Sequence, residues 1–154
     1  MVRTAENRLA AAGFQLPPGV TPFGTYVPAV RTGNLLFLTG MLPTVGHEPQ
    51  FLGRIGKELD TEEGGKAAYA AALNALAVAR QYLGSLDKIS RVVRLGVYIA
   101  AADGVNQPKI ADGASDLLRD IFGDEKMSSR LVFGVASLPL GVPVELEIIF
   151  EVSE

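Results

Sequence analysis

The sequence contains no cysteine and a single histidine, His47. Without a thiol, this sequence offers no disulfide, no thiol nucleophile and no thiolate ligand for a metal ion. One imidazole cannot supply a site with several histidine ligands, and any serine–histidine catalysis would have to use that one residue. We therefore expect neither a Cys-ligated metal site nor a metal site with several histidine ligands.

Positive charge is also sparse and scattered. The chain has 14 Lys and Arg residues against 17 Asp and Glu residues, and its net charge is -3. Because binding to a phosphate backbone needs clustered positive charge, this distribution argues against a nucleic-acid partner. No apolar run approaches the length of a membrane span, and Glu6 and Arg8 interrupt the first residues where a signal peptide would need an apolar core. We expect a cytoplasmic protein without a membrane partner.

The length and composition are those of an ordinary globular domain. The chain has 154 residues, of which 48% are hydrophobic and 20% are charged. No internal repeat, low-complexity segment or interdomain linker interrupts it. The sequence therefore predicts one domain over residues 1–154.

The first half predicts a helix, a hairpin and a long helix. Residues 4–12 form the first helix with Thr4 as its cap, and residues 26–31 and 35–39 form the hairpin. Pro28 places the first hairpin strand at a sheet edge, because proline cannot donate a ladder hydrogen bond. After an irregular loop over residues 44–60, Thr61 is expected to cap a helix that extends to Leu83.

The second half predicts three more strands and another helix. Residues 89–100 form a central strand, and Asn106 caps a helix that ends at Gly123. Residues 128–152 contain two strands that a Pro/Gly turn joins, and the second strand alternates with period two. Strands separated by helices predict an α+β fold with two long helices on one face of a mixed β-sheet. The other face is expected to be covered by further copies of the chain.

Arg130 and Glu145 are the candidate functional residues of these last strands. On neighbouring strands, a guanidinium and a carboxylate could flank a small anionic ligand, although a cross-strand ion pair or two solvated charges would fit the same pattern. Glu147 and Glu151 share the face of Glu145. Paired carboxylates could bind a metal ion, but solvated carboxylates or contacts between subunits are the simpler interpretation, and no metal site is expected here.

The last strands carry the pattern S-R-x-x-x-x-V-A-x-L-P-x-x-V-x-V-E-x-E, from Ser129 to Glu147. This pattern resembles the C-terminal signature of the RidA/YjgF family of reactive-intermediate (2-imino acid) deaminases, which includes proteins described as endoribonuclease L-PSP-like. The resemblance extends over nearly the whole chain and is strongest to a subgroup with a longer N-terminus. It implies a chorismate-mutase-like α+β fold that assembles as a homotrimer with three sites at the subunit interfaces.

The resemblance also implies roles for individual residues. Arg130 corresponds to the arginine that binds the substrate carboxylate, and Glu145 to the glutamate that positions or activates the hydrolytic water. Tyr26 and Gly40 correspond to an aromatic residue and a loop glycine beside the pocket. Val132 stands where the best-known deaminases have a cysteine, so only its backbone carbonyl remains to hold a water. The implied reaction is hydrolysis of an imine to a 2-oxo acid and ammonia, and it requires neither a metal ion nor an organic cofactor.

Two other function classes fit the same sequence. One is a protein that binds a small carboxylate through Arg130 without turning it over. The other is an endoribonuclease, although a histidine pair, a metal constellation and a basic groove are all missing from the sequence. Ser115, Asp116, Asn106 and His47 are further polar candidates, for which capping or solvated roles are the simpler interpretation.

Overall fold

The computed structural model describes residues 3–154 and contains an α+β fold, as the sequence predicts. The helices are α1 (Ala5–Ala11), α2 (Thr61–Leu83) and α3 (Gln107–Phe122). The strands are β1 (Ala29–Thr32), β2 (Leu35–Leu38), β3 (Thr44–Val45), β4 (Glu48–Pro49), β5 (Ile89–Ala100), β6 (Ser129–Val135) and β7 (Val144–Val152). None of the helices in this described part is long and apolar enough to cross a membrane. The cytoplasmic location stays a prediction.

The main sheet is mixed and, within residues 3–154, has five strands in the order β1-β2-β7-β5-β6. β6 runs parallel to β5, and the other neighbouring pairs are antiparallel. β1 lies at one edge, as Pro28 predicts, but it begins at Ala29 rather than at residue 26. β3 and β4 form a small separate hairpin inside the loop that the sequence analysis expected to be irregular.

The two last strands are not neighbours, which corrects one expectation from the sequence. The Pro/Gly turn does reverse the chain, but β5 lies between β6 and β7. The alternation of apolar residues in β7 fixes which side chains face the core, and it contains no information about which strand lies beside them. Arg130 and Glu145 are therefore not on adjacent strands.

The hydrophobic core lies between one face of the sheet and the helices α2 and α3. The alternating apolar residues of β7 are all buried on this face: Val144, Leu146, Ile148, Phe150 and Val152. The apolar stripe of α3 packs against the same core, as its helical spacing predicts: Ile110, Ala114, Leu117, Leu118 and Ile121. The expected placement of two long helices on one sheet face is confirmed.

The helix termini follow local capping rules. The Thr4 and Asn106 side chains accept hydrogen bonds from backbone N–H groups at the starts of α1 and α3, as expected. Asp60, and not Thr61, caps α2, where it forms a capping box with Glu63. Thr61 is the first helical residue, because the aspartate immediately before it accepts the hydrogen bond from the third residue of the helix.

The two long helices meet at a pair of glycines. A Cβ atom on Gly113 of α3 would overlap the carbonyl oxygen of Gly65 and lie 2.9 Å from its carbonyl carbon. The helices can therefore approach this closely only because Gly113 has no side chain.

The other face of the sheet exposes large apolar side chains. Val30, Phe37, Leu131 and Phe133 are 52%, 38%, 38% and 48% exposed. Arg94 and Glu147 form an ion pair of 2.9 Å on this face, and Tyr98 stacks on Phe133. An apolar sheet face of this kind is suited to burial against another protein surface.

Candidate functional site

Glu145 is a half-buried carboxylate at the start of β7. It lies opposite Tyr98 of β5 and alternates with the buried Val144 and Leu146, so its side chain points away from the helices. Burial raises the pKa of the Glu145 carboxyl above its usual value, because the charged form loses solvation. A carboxylate of this kind is a better proton acceptor than one in free solution.

Gly40 lies directly against the Glu145 carboxylate. A Cβ atom at Gly40 would overlap Oε2 of Glu145 and lie 3.0 Å from its Cδ. Two backbone hydrogen bonds between Met41 and Leu146, of 2.8 and 2.9 Å, hold the segment after β2 beside β7. The absence of a side chain at Gly40 therefore provides the space that the carboxylate occupies. The position of Gly40 directly after a strand would by itself indicate only a glycine in a turn.

Gly40→Ala is expected to displace the Glu145 carboxylate rather than unfold the protein, because the end of a glutamate side chain can move. We expect any reaction that uses Glu145 as its proton acceptor to slow by about tenfold or more, because the displaced carboxylate loses its alignment. The free energy of unfolding in urea should change by less than about 1 kcal/mol. Gly65→Ala is the control, because a Cβ at Gly65 would have no neighbour within 4 Å.

A pocket of about 330 Å³ opens beside Glu145. It contains the predicted residues Tyr26 and Gly40, and its remaining lining is largely apolar: Phe23, Thr39, Leu42, Pro139 and Leu140. The backbone N–H of Phe23 donates a hydrogen bond of 2.9 Å to the Tyr26 hydroxyl, which closes a tight turn at the rim. Glu145, Gly40 and Tyr26 are therefore brought together, as the resemblance implies.

His47 supports this rim from the β3–β4 turn. Its ring stacks on Phe23 with centroids 4.2 Å apart, and Nε2 lies 2.9 Å from the carbonyl oxygen of Thr21. The imidazole is exposed, yet both contacts tie it to the segment that carries Phe23 and Tyr26. Its position is structural, and it does not line the Glu145 pocket.

Asn74 is a positioning residue that the sequence analysis did not identify. It is 3% exposed in the middle of α2, and its side-chain amide donates hydrogen bonds of 2.8 and 2.9 Å to the carbonyl oxygens of Leu42 and Thr44. These bonds anchor the segment that follows Gly40. The sequence signal for this role was an asparagine inside an alanine-rich helix. Because asparagine has a low helix propensity, its presence there indicates a specific side-chain contact.

Arg130 lies on the opposite face of the sheet from Glu145. It is paired with the buried Leu95 of β5, and its Nη1 donates hydrogen bonds to Asp112 at 2.8 Å and to Ser115 at 3.2 Å on α3. Within residues 3–154, Nε and Nη2 of Arg130 make no hydrogen bond. That edge of the guanidinium has the geometry to hold a carboxylate through two parallel bonds.

Val132 lies on the same side as Arg130 and packs against the core. Since Glu145 faces the other way and β5 intervenes, one chain does not place Arg130 and Val132 in the pocket of Glu145, Gly40 and Tyr26. The predicted residues thus form two groups on opposite faces.

The remaining polar candidates have structural partners or surface positions. Ser115 bonds to Arg130, Asp116 pairs with Arg119 at 3.4 Å, and Asn106 caps α3. Glu147 pairs with Arg94, and Glu151 is exposed. Across residues 3–154, no three His, Asp or Glu residues cluster in a way that could hold a metal ion.

Together, the mixed sheet, the two helices on one face and the carboxylate pocket define an α+β protein of the chorismate-mutase-like class. Residues 6–151 match the family described as "YjgF/chorismate mutase-like, putative endoribonuclease". The chain therefore belongs to the RidA/YjgF family.

Relatives of known sequence and structure agree with this assignment. The chain is 36% identical to Protein TCP17 of Trypanosoma cruzi over 98% of its own length and 95% of that protein. A structure from Shewanella oneidensis, described as a "putative endoribonuclease", superposes with a TM-score of 0.91 at 33% identity, covering 97% of this chain and 99% of that one. A protein of unknown function from Agrobacterium tumefaciens gives a TM-score of 0.88 at 34% identity, with coverage of 97% and 92%. RidA from an Antarctic Psychrobacter shares the fold, with a TM-score of 0.64 at 20% identity and coverage of 90% and 97%.

Proposed function

We propose that the chain is one domain that hydrolyses 2-imino acids to 2-oxo acids and ammonia. The observation that carries this proposal is the half-buried Glu145, whose pKa is raised by burial and whose carboxylate lies in an open pocket beside Gly40. Hydrolysis of an imine requires a positioned water and a proton acceptor of this kind.

The reaction balances with Glu145 as the only proton carrier. The carboxylate accepts a proton from water as the water oxygen attacks the C=N carbon, and it then donates this proton to the imine nitrogen. In the resulting tetrahedral carbinolamine, Glu145 accepts the remaining proton of the former water as the oxygen becomes the carbonyl of the 2-oxo acid, and it delivers that proton to the nitrogen as the C–N bond breaks and ammonia leaves. Glu145 is regenerated as a carboxylate, so the scheme uses no cofactor.

Arg130 is the proposed ligand for the substrate carboxylate. Asp112 and Ser115 hold its Nη1, which leaves the Nε and Nη2 edge available for a bidentate contact. In this scheme the backbone carbonyl of Val132, two residues further along β6, helps to hold the water in place of a cysteine side chain.

The site is proposed to lie between subunits of a homotrimer. One chain presents Arg130 and Glu145 on opposite faces of its sheet, so a single ligand can meet both groups only when they come from different chains. The exposed apolar side chains on the Glu145 face supply a surface that such an assembly would bury: Val30, Phe37, Leu131 and Phe133. A closed threefold ring gives three equivalent sites.

Hydrolysis of 2-iminopropanoate, generated in situ, tests the function. The wild-type chain should accelerate formation of the 2-oxo acid, and Arg130→Ala should lower kcat/KM by about 100-fold because two charge-assisted hydrogen bonds are lost. Arg119→Ala removes an arginine whose ion pairs within residues 3–154 are with acidic residues on the α3 surface, and it should behave like wild type. Light scattering checks that each variant remains trimeric.

Other outcomes of this assay point to other functions. If the wild type binds 2-oxo acids through Arg130 but no imine is hydrolysed, the protein is a carboxylate-binding protein. Cleavage of RNA that Arg130→Ala abolishes would support an endoribonuclease, in spite of the scattered positive charge. A monomer in solution would contradict the shared site.

A further inference from the structure

The rim of the Glu145 pocket is made of large apolar side chains that remain exposed. Phe23, Tyr26 and Leu140 are 41%, 45% and 45% exposed, and Leu42 and Pro139 complete the lining. Exposed apolar side chains that converge on one pocket have an unfavourable hydration that a bound apolar group would relieve. The pocket volume of about 330 Å³ leaves room for such a group beside the carboxylate.

Leu140 is held in a backbone conformation that disfavours a side chain. Its φ of 62° and ψ of 9° lie in the left-handed region, where it is the one residue other than glycine with a positive φ in the described chain. The next residue, Gly141, also has a positive φ, of 73°. Glycine would adopt the conformation of Leu140 with less strain, so the fold alone does not explain a leucine here.

The Leu140 side chain also contributes little to the core. It lies on the turn between β6 and β7 and is about half exposed, whereas Val142, two residues further along, is 1% exposed and anchors the turn. A strained residue whose apolar side chain projects into a pocket beside a catalytic carboxylate is better explained by a contact with the ligand.

We propose that Leu140, together with Phe23 and Tyr26, contacts the substrate side chain and selects 2-imino acids with large apolar side chains, of the leucine or phenylalanine type. This inference rests on the proposed hydrolase function. Burial of an apolar side chain against these three residues is favourable, whereas an acidic side chain would lose its hydration there and would be repelled by the Glu145 carboxylate in the same pocket.

Selectivity between two substrates tests the proposal. We expect wild type to have a higher kcat/KM for the imine derived from leucine than for 2-iminopropanoate. Leu140→Gly should lower the ratio of these two values about tenfold, because discrimination by an apolar contact is of that order. The same variant should be as thermally stable as wild type or more stable, since glycine relieves the strain. Val45→Ala, at a residue 61% exposed on the β3–β4 hairpin, should leave the ratio unchanged.

Binding of the 2-oxo acid products separates this inference from the proposed function. Calorimetry should show tighter binding of 4-methyl-2-oxopentanoate than of pyruvate, and Leu140→Gly should remove the difference whether or not any imine is turned over. Hydrolysis of imines without an apolar preference would overturn the inference and leave the hydrolase function standing. Dissociation of the trimer in Leu140→Gly would also overturn it, because Leu140 would then be a subunit contact.

Discussion

Glu145→Gln is expected to lower kcat for imine hydrolysis by about 10²- to 10⁴-fold, the usual contribution of a general base, while KM changes little. The amide keeps the shape of the side chain beside Gly40, but it cannot accept the proton from the attacking water. Steady-state kinetics measure the effect. Glu147→Gln is the matched control, since Glu147 lies two residues further along the same face and pairs with Arg94. Equal losses in both variants would contradict the assigned role.

The raised pKa of Glu145 gives this prediction a pH dependence. Wild-type kcat/KM should rise with pH as Glu145 ionises, and the midpoint should lie above the ordinary glutamate value of 4.5, because burial raises the pKa. The protonated form is favoured in the folded state, so the contribution of this group to stability is present at low pH and lost as pH rises through the raised pKa. Glu145→Gln should therefore be more stable than wild type at neutral pH, and this advantage should disappear below 4.5.

Gly113→Ala is expected to destabilise the fold by about 2 kcal/mol or more, because the added Cβ would overlap the backbone carbonyl of Gly65 and force α2 and α3 apart. Backbone atoms in a helix cannot move aside as the end of a side chain can. The strain has to exceed the gain of about 1 kcal/mol that alanine normally brings to a helix interior. Urea denaturation of the two proteins measures the difference.

Gly65→Ala is the matched control for this helix contact. A Cβ at Gly65 would have no neighbour within 4 Å, although the residue belongs to the same glycine pair. We expect a small gain in the free energy of unfolding, up to about 1 kcal/mol, from helix propensity alone. If the two variants behaved alike, the close approach of the helices would not depend on Gly113.

The fold was largely predictable because apolar periodicity decides which side chains a strand or helix buries. β5 and β7 and the stripe of α3 follow directly from that rule. The same periodicity cannot identify a neighbouring strand, so the expectation that β6 lies beside β7 is wrong: β5 separates them. The predicted cap of α2, Thr61, lies one residue after the observed cap, Asp60, because both residue types are good caps.

The residues of the candidate site could be predicted where a chemically suitable residue stands at a position of the family pattern. Glu145, Gly40 and Tyr26 converge as the resemblance implies. Asn74 and Asp112 were not identified as supporting residues, because their contacts join segments that are 32 and 18 positions apart in the chain. The role of Leu140 depends on a backbone angle, and a leucine in a Pro/Gly turn gives no sequence signal of a positive φ.

The central claim is that Arg130 of one subunit and Glu145 of another act on the same substrate. The most direct test is co-expression of Arg130→Ala and Glu145→Gln chains with different affinity tags, followed by isolation of mixed trimers and assay of imine hydrolysis. Each variant alone should be nearly inactive. Every mixed trimer, whether it contains two copies of one variant or of the other, has both intact residues in one of its three sites, so the isolated mixed trimers should recover about a third of wild-type activity. Mixed trimers as inactive as the parents would contradict a site shared between subunits.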